Sequence, residues 1–340
     1  MRVTLIYNPN AGSNQQPSED DLIGLIRKAG HTVFRRSSKD NDLEKALEEP
    51  GEVVIVAGGD GTIGKFAKKL IGKGPAIAVL PMGTANNIAT TLGIMNRAIE
   101  ELIAEWTSSR RTQFDVGEAN GPWGSMCFIE GFGIGLFSET MSRLHVTDNV
   151  DLTHLDNTRI KITSILEILK ERLRDYPAKN LKITLDGRDV SGAYILLEAL
   201  NIKYIGPNLR LAPGADSSDG FLDIVFVSEG DKDHLGKYLS DLTENELMRP
   251  GWTIRKGRHL QIEWDGFSTH IDDQAWPEKD SNVPPRRRSS MCRPTAILLS
   301  FSLPGDERTA PSIAREEKQC TALFAARFLA RNPGASSTSL

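Results

Sequence analysis

Residues 53 to 94 constrain the fold more than any other stretch, because they hold two strand–turn–helix units in direct succession. Val53-Val54-Ile55-Val56-Ala57 is an apolar run rich in β-branched side chains. It is too short for a globular helix and runs straight into glycines, so it reads as a buried parallel strand. The turn Gly58-Gly59-Asp60-Gly61-Thr62 follows, and then Ile63, Phe66, Ala67 and Leu70 recur at helical spacing. The pattern repeats at once. Ala76 to Leu80 is a second strand, Pro81-Met82-Gly83-Thr84 a second turn, and Ile88, Ala89 and Leu92 mark a helix closed by Gly93.

Glycines in such turns let the backbone approach a ligand closely, and the amides of the following helix start favour an anion. Neither turn is a Walker-type loop or a G-x-G-x-x-G element, and a ligand-free glycine-rich connection is the plain alternative. Two adjacent turns, one carrying the charged Asp60, tilt the reading toward a phosphate site.

The rest of the first 110 residues alternates strand and helix. Val3 to Tyr7 is a strand that ends in Asn8-Pro9-Asn10-Ala11-Gly12. Ser18 and Asp21 suggest a helix cap, followed by Leu22, Ile23, Ile26 and Ala29 on one face and Gly30 at the end. Thr32 to Phe34 is a short strand; Leu43, Ala46 and Leu47 mark a small helix near Pro50; Ile99, Leu102, Ile103 and Trp106 line another. Alternation of this kind predicts a parallel sheet covered on both faces, with ligands at the carboxyl ends of its strands. Asn8, Asp60 and Thr84 all fall just past those ends.

Beyond Arg110 the pattern changes. Gln113–Gly117, Ser125–Ile129, Leu181–Leu185, Tyr194–Leu200, Leu222–Val227 and Gln261–Trp264 read as strands separated by turns such as Asp186-Gly187. Successive strands without helices predict an antiparallel sandwich or open barrel. The stripe Ile162, Ile165, Leu166, Leu169 and Leu173 is helical and reads as packing, with a lid over an apolar pocket as the alternative. The expected organisation is an α/β domain over 1–110 and a β-rich domain over 111–304. Residues near 295–330 would pack back on the first domain, and 331–340 would be a disordered tail. Thr295 to Ser302 is a candidate last strand and Leu323 to Leu329 a candidate short helix.

Composition narrows the classes. With 340 residues the chain has room for two cores, and a net charge of −4 gives no broad electrostatic reason to bind nucleic acid. Cys127, Cys292 and Cys320 are far apart with no C-x-x-C pairing, which argues against a disulfide framework or zinc site and suits a reducing cytosol. The first residues have no signal-peptide layout, and no run reaches the roughly 20 apolar residues of a membrane span. A lipid substrate would therefore be met at a bilayer surface. Arg286-Arg287-Arg288 could touch anionic lipid, though a solvated loop is the simpler reading.

Gly58-Gly59-Asp60-Gly61-Thr62, together with Pro81-Met82-Gly83-Thr84-Ala85-Asn86-Asn87-Ile88-Ala89-Thr90-Thr91-Leu92-Gly93-Ile94, resembles the signatures of the diacylglycerol kinase catalytic-domain family, which includes bacterial lipid kinases and sphingosine kinases. The first motif is shared with NAD kinases; the second is far more specific. The resemblance implies ATP and Mg²⁺ as cofactors and a diacylglycerol-like or sphingoid lipid as phosphoryl acceptor. It places nucleotide contacts at Asn8, Gly58, Gly59, Gly61, Thr62, Gly83, Thr84 and Asn86. Leu211 to Asp223 resembles the family's proline–alanine–aspartate–glycine segment, which implies Asp216, Asp219 and Leu211 as magnesium ligands, with Asp223 a further carboxylate nearby. His270-Ile271-Asp272-Asp273-Gln274 sits where the family has aspartate–glycine–glutamate, so Asp272 matches the general base. The sphingosine kinase branch implies Asp60 instead, and for a lipid kinase of either kind Asp60→Ala is expected to abolish turnover in an intact fold. A cytoplasmic protein that visits membranes, with a homodimer left open, completes the expectation.

The chain also departs from the pattern. Gly64-Lys65 replace asparagine–glutamate, Asn87 stands where aspartate is common, Ser218 replaces a second aspartate, and Asp273 and Gln274 replace glycine and glutamate. Together these changes remove negative charge from a metal network. They motivate one alternative, a lipid- or nucleotide-binding protein of weakened activity; the shared first turn motivates the other, a NAD kinase-like enzyme. None of the six histidines shows metal-ligand spacing; His270 is close enough to Asp272 to tune it.

Overall fold

A computed structural model describes residues 1–12, 16–37, 47, 50–144, 158–242, 249–264, 266–276, 295–300 and 325–330. The chain divides into two compact units, 1–115 with 315–340, and 116–314.

The first unit begins with β1 (Arg2–Tyr7), α1 (Glu19–Lys28) and β2 (Thr32–Ser37). It continues through β3 (Val53–Gly58), α2 (Asp60–Lys69), β4 (Ala76–Pro81), α3 (Asn87–Thr91), α4 (Ile99–Glu105) and β5 (Arg110–Asp115). Its sheet runs β2-β1-β3-β4, then the strand Ala325–Ala330, then β5. The pairs from β2 to β4 are parallel. Every residue of β3 is buried, so both faces of the sheet are covered at its centre, as an unbroken apolar run requires. Ser18 and Asp21 form the expected capping box, and Leu22, Ile23 and Ile26 are the buried face of α1.

The strand Ala325–Ala330 stands where the sequence predicts a short helix over Leu323 to Leu329. It lies parallel to β4 through Phe328↔Ile77 and antiparallel to β5 from Ala325↔Asp115 to Ala330↔Arg110. Two strands with open backbone groups offer a partner that local propensity does not reveal. The small helix expected near Leu43 and Ala46, the arginines 286–288 and the tail 331–340 lie outside the described residues.

The second unit is two antiparallel sheets. One joins β6 (Gly117–Gly121) and β7 (Gly124–Phe128) with later strands; the other contains β8 (Gly131–Gly135), which leads into α5 (Leu136–Leu144). After α6 (Thr158–Asp175) come β9 (Lys179–Leu181), β10 (Ile183–Leu185), β11 (Arg188–Asp189), β12 (Gly192–Leu200) and β13 (Leu222–Ser228). Then follow α7 (Lys232–Asp241), β14 (Thr253–Gly257), β15 (His259–Trp264), β16 (Thr269–Ile271), β17 (Gln274–Trp276) and β18 (Thr295–Ser300). The sheet orders are β11-β10-β15-β18-β6-β7 and β14-β13-β12-β8-β16-β17.

Phe128, Phe132, Leu197, Ile224 and Ile262 belong to one core shared by the two sheets, which makes the arrangement a sandwich. A second core joins the larger sheet to helices through Ile195, Val225, Leu166, Leu169, Leu173 and Leu235. The apolar stripe of α6 therefore packs. No helix among the described residues is long and apolar enough to cross a membrane.

Candidate active site

In the first unit, three connections leave the carboxyl ends of β1, β3 and β4. The Asn8 side chain donates to Thr62 Oγ1 at 2.7 Å, which ties the first connection to the second. Met82 N donates to Gly58 O at 3.0 Å, which ties the second to the third. Gly59 and Gly83 then lie backbone to backbone. A methyl group on Gly83 would stand 2.4 Å from Gly59 Cα and 2.8 Å from Asn86 Oδ1. Asn86, in the left-handed region at φ 54°, closes the third turn by accepting from Gly83 N at 2.8 Å and donating to Gly83 O at 2.9 Å. Asn86 is thus a brace for the turn. Gly58, Gly61, Thr62 and Thr84 share this loop cluster, with Gly61 exposed at the start of α2.

Asp60 is the first residue of α2, yet its carboxylate serves α3. Its Oδ2 accepts from Asn87 N at 2.9 Å and its Oδ1 from Ile88 N at 3.0 Å. Asp60→Ala is therefore expected to cost stability as well as turnover. That change strands two backbone donors at a buried helix start, at about 1–3 kcal/mol each.

In the second unit, Asp272 is the first of two residues turning β16 into β17, in the left-handed region at φ 51°. Its amide donates to Gly131 O at 2.8 Å. Its Oδ1 accepts from the amides of Ile129, Glu130 and Gly131 at 3.0, 2.8 and 3.3 Å, and Oδ2 accepts from Ile129 at 3.2 Å. Asn201 fixes the same segment by donating to Ile129 O at 2.8 Å.

Behind this turn is a group the sequence reading only touched. His270 Nδ1 bonds the main-chain oxygen of Asp272 at 3.0 Å, and Nε2 bonds Glu198 Oε2 at 2.9 Å. Both side chains are fully buried. Burial pushes the Glu198 carboxyl up, with His270 only partly opposing it. Burial alone would lower His270, but Glu198 and the Asp272 carbonyl hold it above its ordinary value. Glu198 escaped the sequence reading because it lies mid-strand in an apolar run, where a lone charge was the available signal.

The expected magnesium ligands sit on the loop before β13, and several of their oxygens accept hydrogen bonds from the protein itself. Asp216 Oδ1 accepts from Ser218 N at 3.0 Å and Ser218 Oγ at 2.8 Å. Asp219 Oδ1 accepts from Phe221 N at 3.0 Å, and its Oδ2 pairs with Lys256 Nζ. Leu211 O accepts from Trp252 Nε1 at 3.1 Å. Among the described residues no three His, Cys, Asp or Glu side chains are gathered as a metal site. As they stand, Asp216, Asp219 and Leu211 are held by protein donors and by Lys256.

Residues 2–119 match the diacylglycerol kinase catalytic domain, with both glycine turns inside the match. Over those residues the chain is similar to the diacylglycerol kinase catalytic-domain family. Residues 145–300 match the YegS C-terminal NAD kinase beta sandwich-like domain, in keeping with the paired sheets of the second unit. A Citrobacter koseri protein named Probable lipid kinase YegS-like is 28% identical over 256 residues, covering 71% of this chain and 79% of that protein. A Staphylococcus aureus diacylglycerol kinase is 27% identical over 272 residues, covering 77% and 82%. A crystal structure of a diacylglycerol kinase from Bacillus anthracis superposes with a TM-score of 0.60 at 22% identity, over 88% of this chain and 94% of that one, and carries the fold alone. Those relatives are named as kinases, and kinase chemistry takes a nucleotide and a phosphoryl acceptor.

Proposed function

We propose that the protein transfers the terminal phosphoryl group of ATP, delivered as MgATP, to a hydroxyl of a diacylglycerol-like or sphingoid lipid. The observation that carries this reading is the pair of glycine turns packed backbone against backbone at the carboxyl ends of β3 and β4. Such turns present main-chain donors to phosphate oxygens, and phosphoryl transfer needs mainly positioning and charge neutralisation. Asp272 takes the proton of the attacking hydroxyl, and Asp60 holds the third turn in register with the second. The protein works in the cytoplasm and meets its lipid at the bilayer surface.

The test is a panel of lipids in mixed micelles with radiolabelled ATP. Label in a diacylglycerol-like or sphingoid lipid is expected. No label in any lipid would overturn the reading, and phosphorylation of NAD in a coupled assay would replace it with the NAD kinase-like alternative. ATP binding without any transfer would point to the binding protein of weakened activity.

A second measurement isolates the turns. Gly83→Ala is expected to weaken binding of a non-hydrolysable ATP analogue at least tenfold by calorimetry, because its methyl group forces the two turns apart. It should also lower stability by about 1–3 kcal/mol, as overpacking does. Unchanged analogue affinity would remove these turns from the phosphate site.

A further inference from the structure

We propose that the Lys256 ammonium is the resident cation of the loop 211–223, which keeps its shape without a divalent metal. The lysine is placed by the sheet itself: Asp223 on β13 and Lys256 on β14 are directly paired across the strands. From there Nζ reaches Asp219 Oδ2 as a hydrogen-bonded ion pair and lies 3.8 Å from Asp223 Oδ2. Asp223 is only 4% exposed, and a carboxylate so placed calls for a nearby positive charge. Burial, with Asp219 and Asp216 adding to it, pushes the Asp223 carboxyl up to about 6, and Lys256 pulls against that shift. The Asp219 bond in turn holds the Lys256 ammonium above its ordinary value.

The rest of the loop is consistent with a tethered cation. The loop oxygens that a metal would need accept from Ser218, Phe221 and Trp252. Arg258, two residues beyond Lys256, lies with its guanidinium 4.4 Å from the Phe221 ring centre and covers the loop with a second positive group. Mg²⁺ gives up its water reluctantly and demands near-octahedral oxygens. An ammonium has three flexible donors and no such demand. The inference concerns how the loop of the second unit is neutralised, so it stands or falls independently of the kinase reading.

The experiment is hydrogen exchange at the loop amides of the full chain without nucleotide, in excess EDTA and in millimolar magnesium, with thermal unfolding alongside. In the wild type, exchange and Tm are expected to be the same in both solutions. Lys256→Met is expected to speed exchange at Asp219 to Asp223 about tenfold and to lower Tm by several degrees. Lys256→Arg keeps the charge and is expected to stay close to wild type; Lys256→Gln replaces the methionine variant if that one does not fold. Magnesium slowing exchange in the wild-type loop would overturn the proposal. So would a neutral variant whose loop exchanges as slowly as the wild type in EDTA.

Discussion

Asp272→Asn is expected to lower the turnover number for lipid phosphorylation by about 10²–10⁴-fold, the usual contribution of a general base, while the protein stays folded. The geometry makes the substitution informative. Oδ1 holds three backbone amides, and an asparagine carbonyl can accept the same three. The asparagine amide would take the place of Oδ2, where it meets Ile129 N, 3.2 Å away in the native turn. One donor–donor contact costs little beside the loss of a proton acceptor, so Tm should fall by only a few degrees. Asp60→Asn should behave in the opposite way. Its two oxygens each serve a different amide, and one asparagine carbonyl cannot serve both. Stability and ATP affinity should suffer together, with a smaller loss in turnover at saturating ATP. Kinetics of the two variants over a range of ATP separate the roles. If Asp60→Asn lost turnover at unchanged KM while Asp272→Asn kept it, the assignments would be reversed.

The first unit was legible because its information is local. Buried parallel strands are continuous apolar runs, and the glycines that end β3 and β4 lie next to them in the chain. What stayed hidden was where Asp60 points. A first-turn aspartate ordinarily serves its own helix, and only three-dimensional packing shows this one capping the next. The second unit was legible in its longer strands, such as β12, β13 and β15, but not in its short strands or at its centre. Gly131-Phe132-Gly133-Ile134-Gly135 is a strand of alternating glycines, a composition that argues against strand locally. Gly133 is there for space, because a methyl group would stand 2.1 Å from Glu198 Oε2 and 2.2 Å from His270 Nε2. The helix α7 could have been found, since Leu235, Tyr238 and Leu239 keep helical spacing and are buried. The loop 211–223 hid a different contact. Its carboxylates are spaced as a metal segment, and that spacing gives no sign that Asp219 pairs with Lys256, on a strand more than thirty residues away.

His270→Ala is expected to destabilise the protein by about 3–5 kcal/mol, because it leaves Glu198 buried without its partner. For a protein of this size that is a fall in Tm of about 10 °C. Glu198→Gln should be far milder. A glutamine amide can donate to Nε2 while Nδ1 keeps donating to the Asp272 carbonyl, so a neutral ring keeps both of its bonds, and the second side-chain oxygen stays without a hydrogen bond as Glu198 Oε1 does now. The two variants should also part in their response to pH. His270 is raised in the folded state, so the stability it contributes is complete below the ordinary imidazole value of 6.5 and is lost as pH rises through the raised one. The upward shift of Glu198 acts in the same direction, since the folded pair holds its proton more tightly than the unfolded chain does. Wild-type stability should therefore decline as the solution becomes alkaline, and Glu198→Gln, with no bridging proton to lose, should decline less. Denaturant unfolding from slightly acid to alkaline pH measures both slopes. Parallel slopes would mean that the bridging proton contributes nothing and that the fit around Gly133 alone holds the Asp272 turn in place.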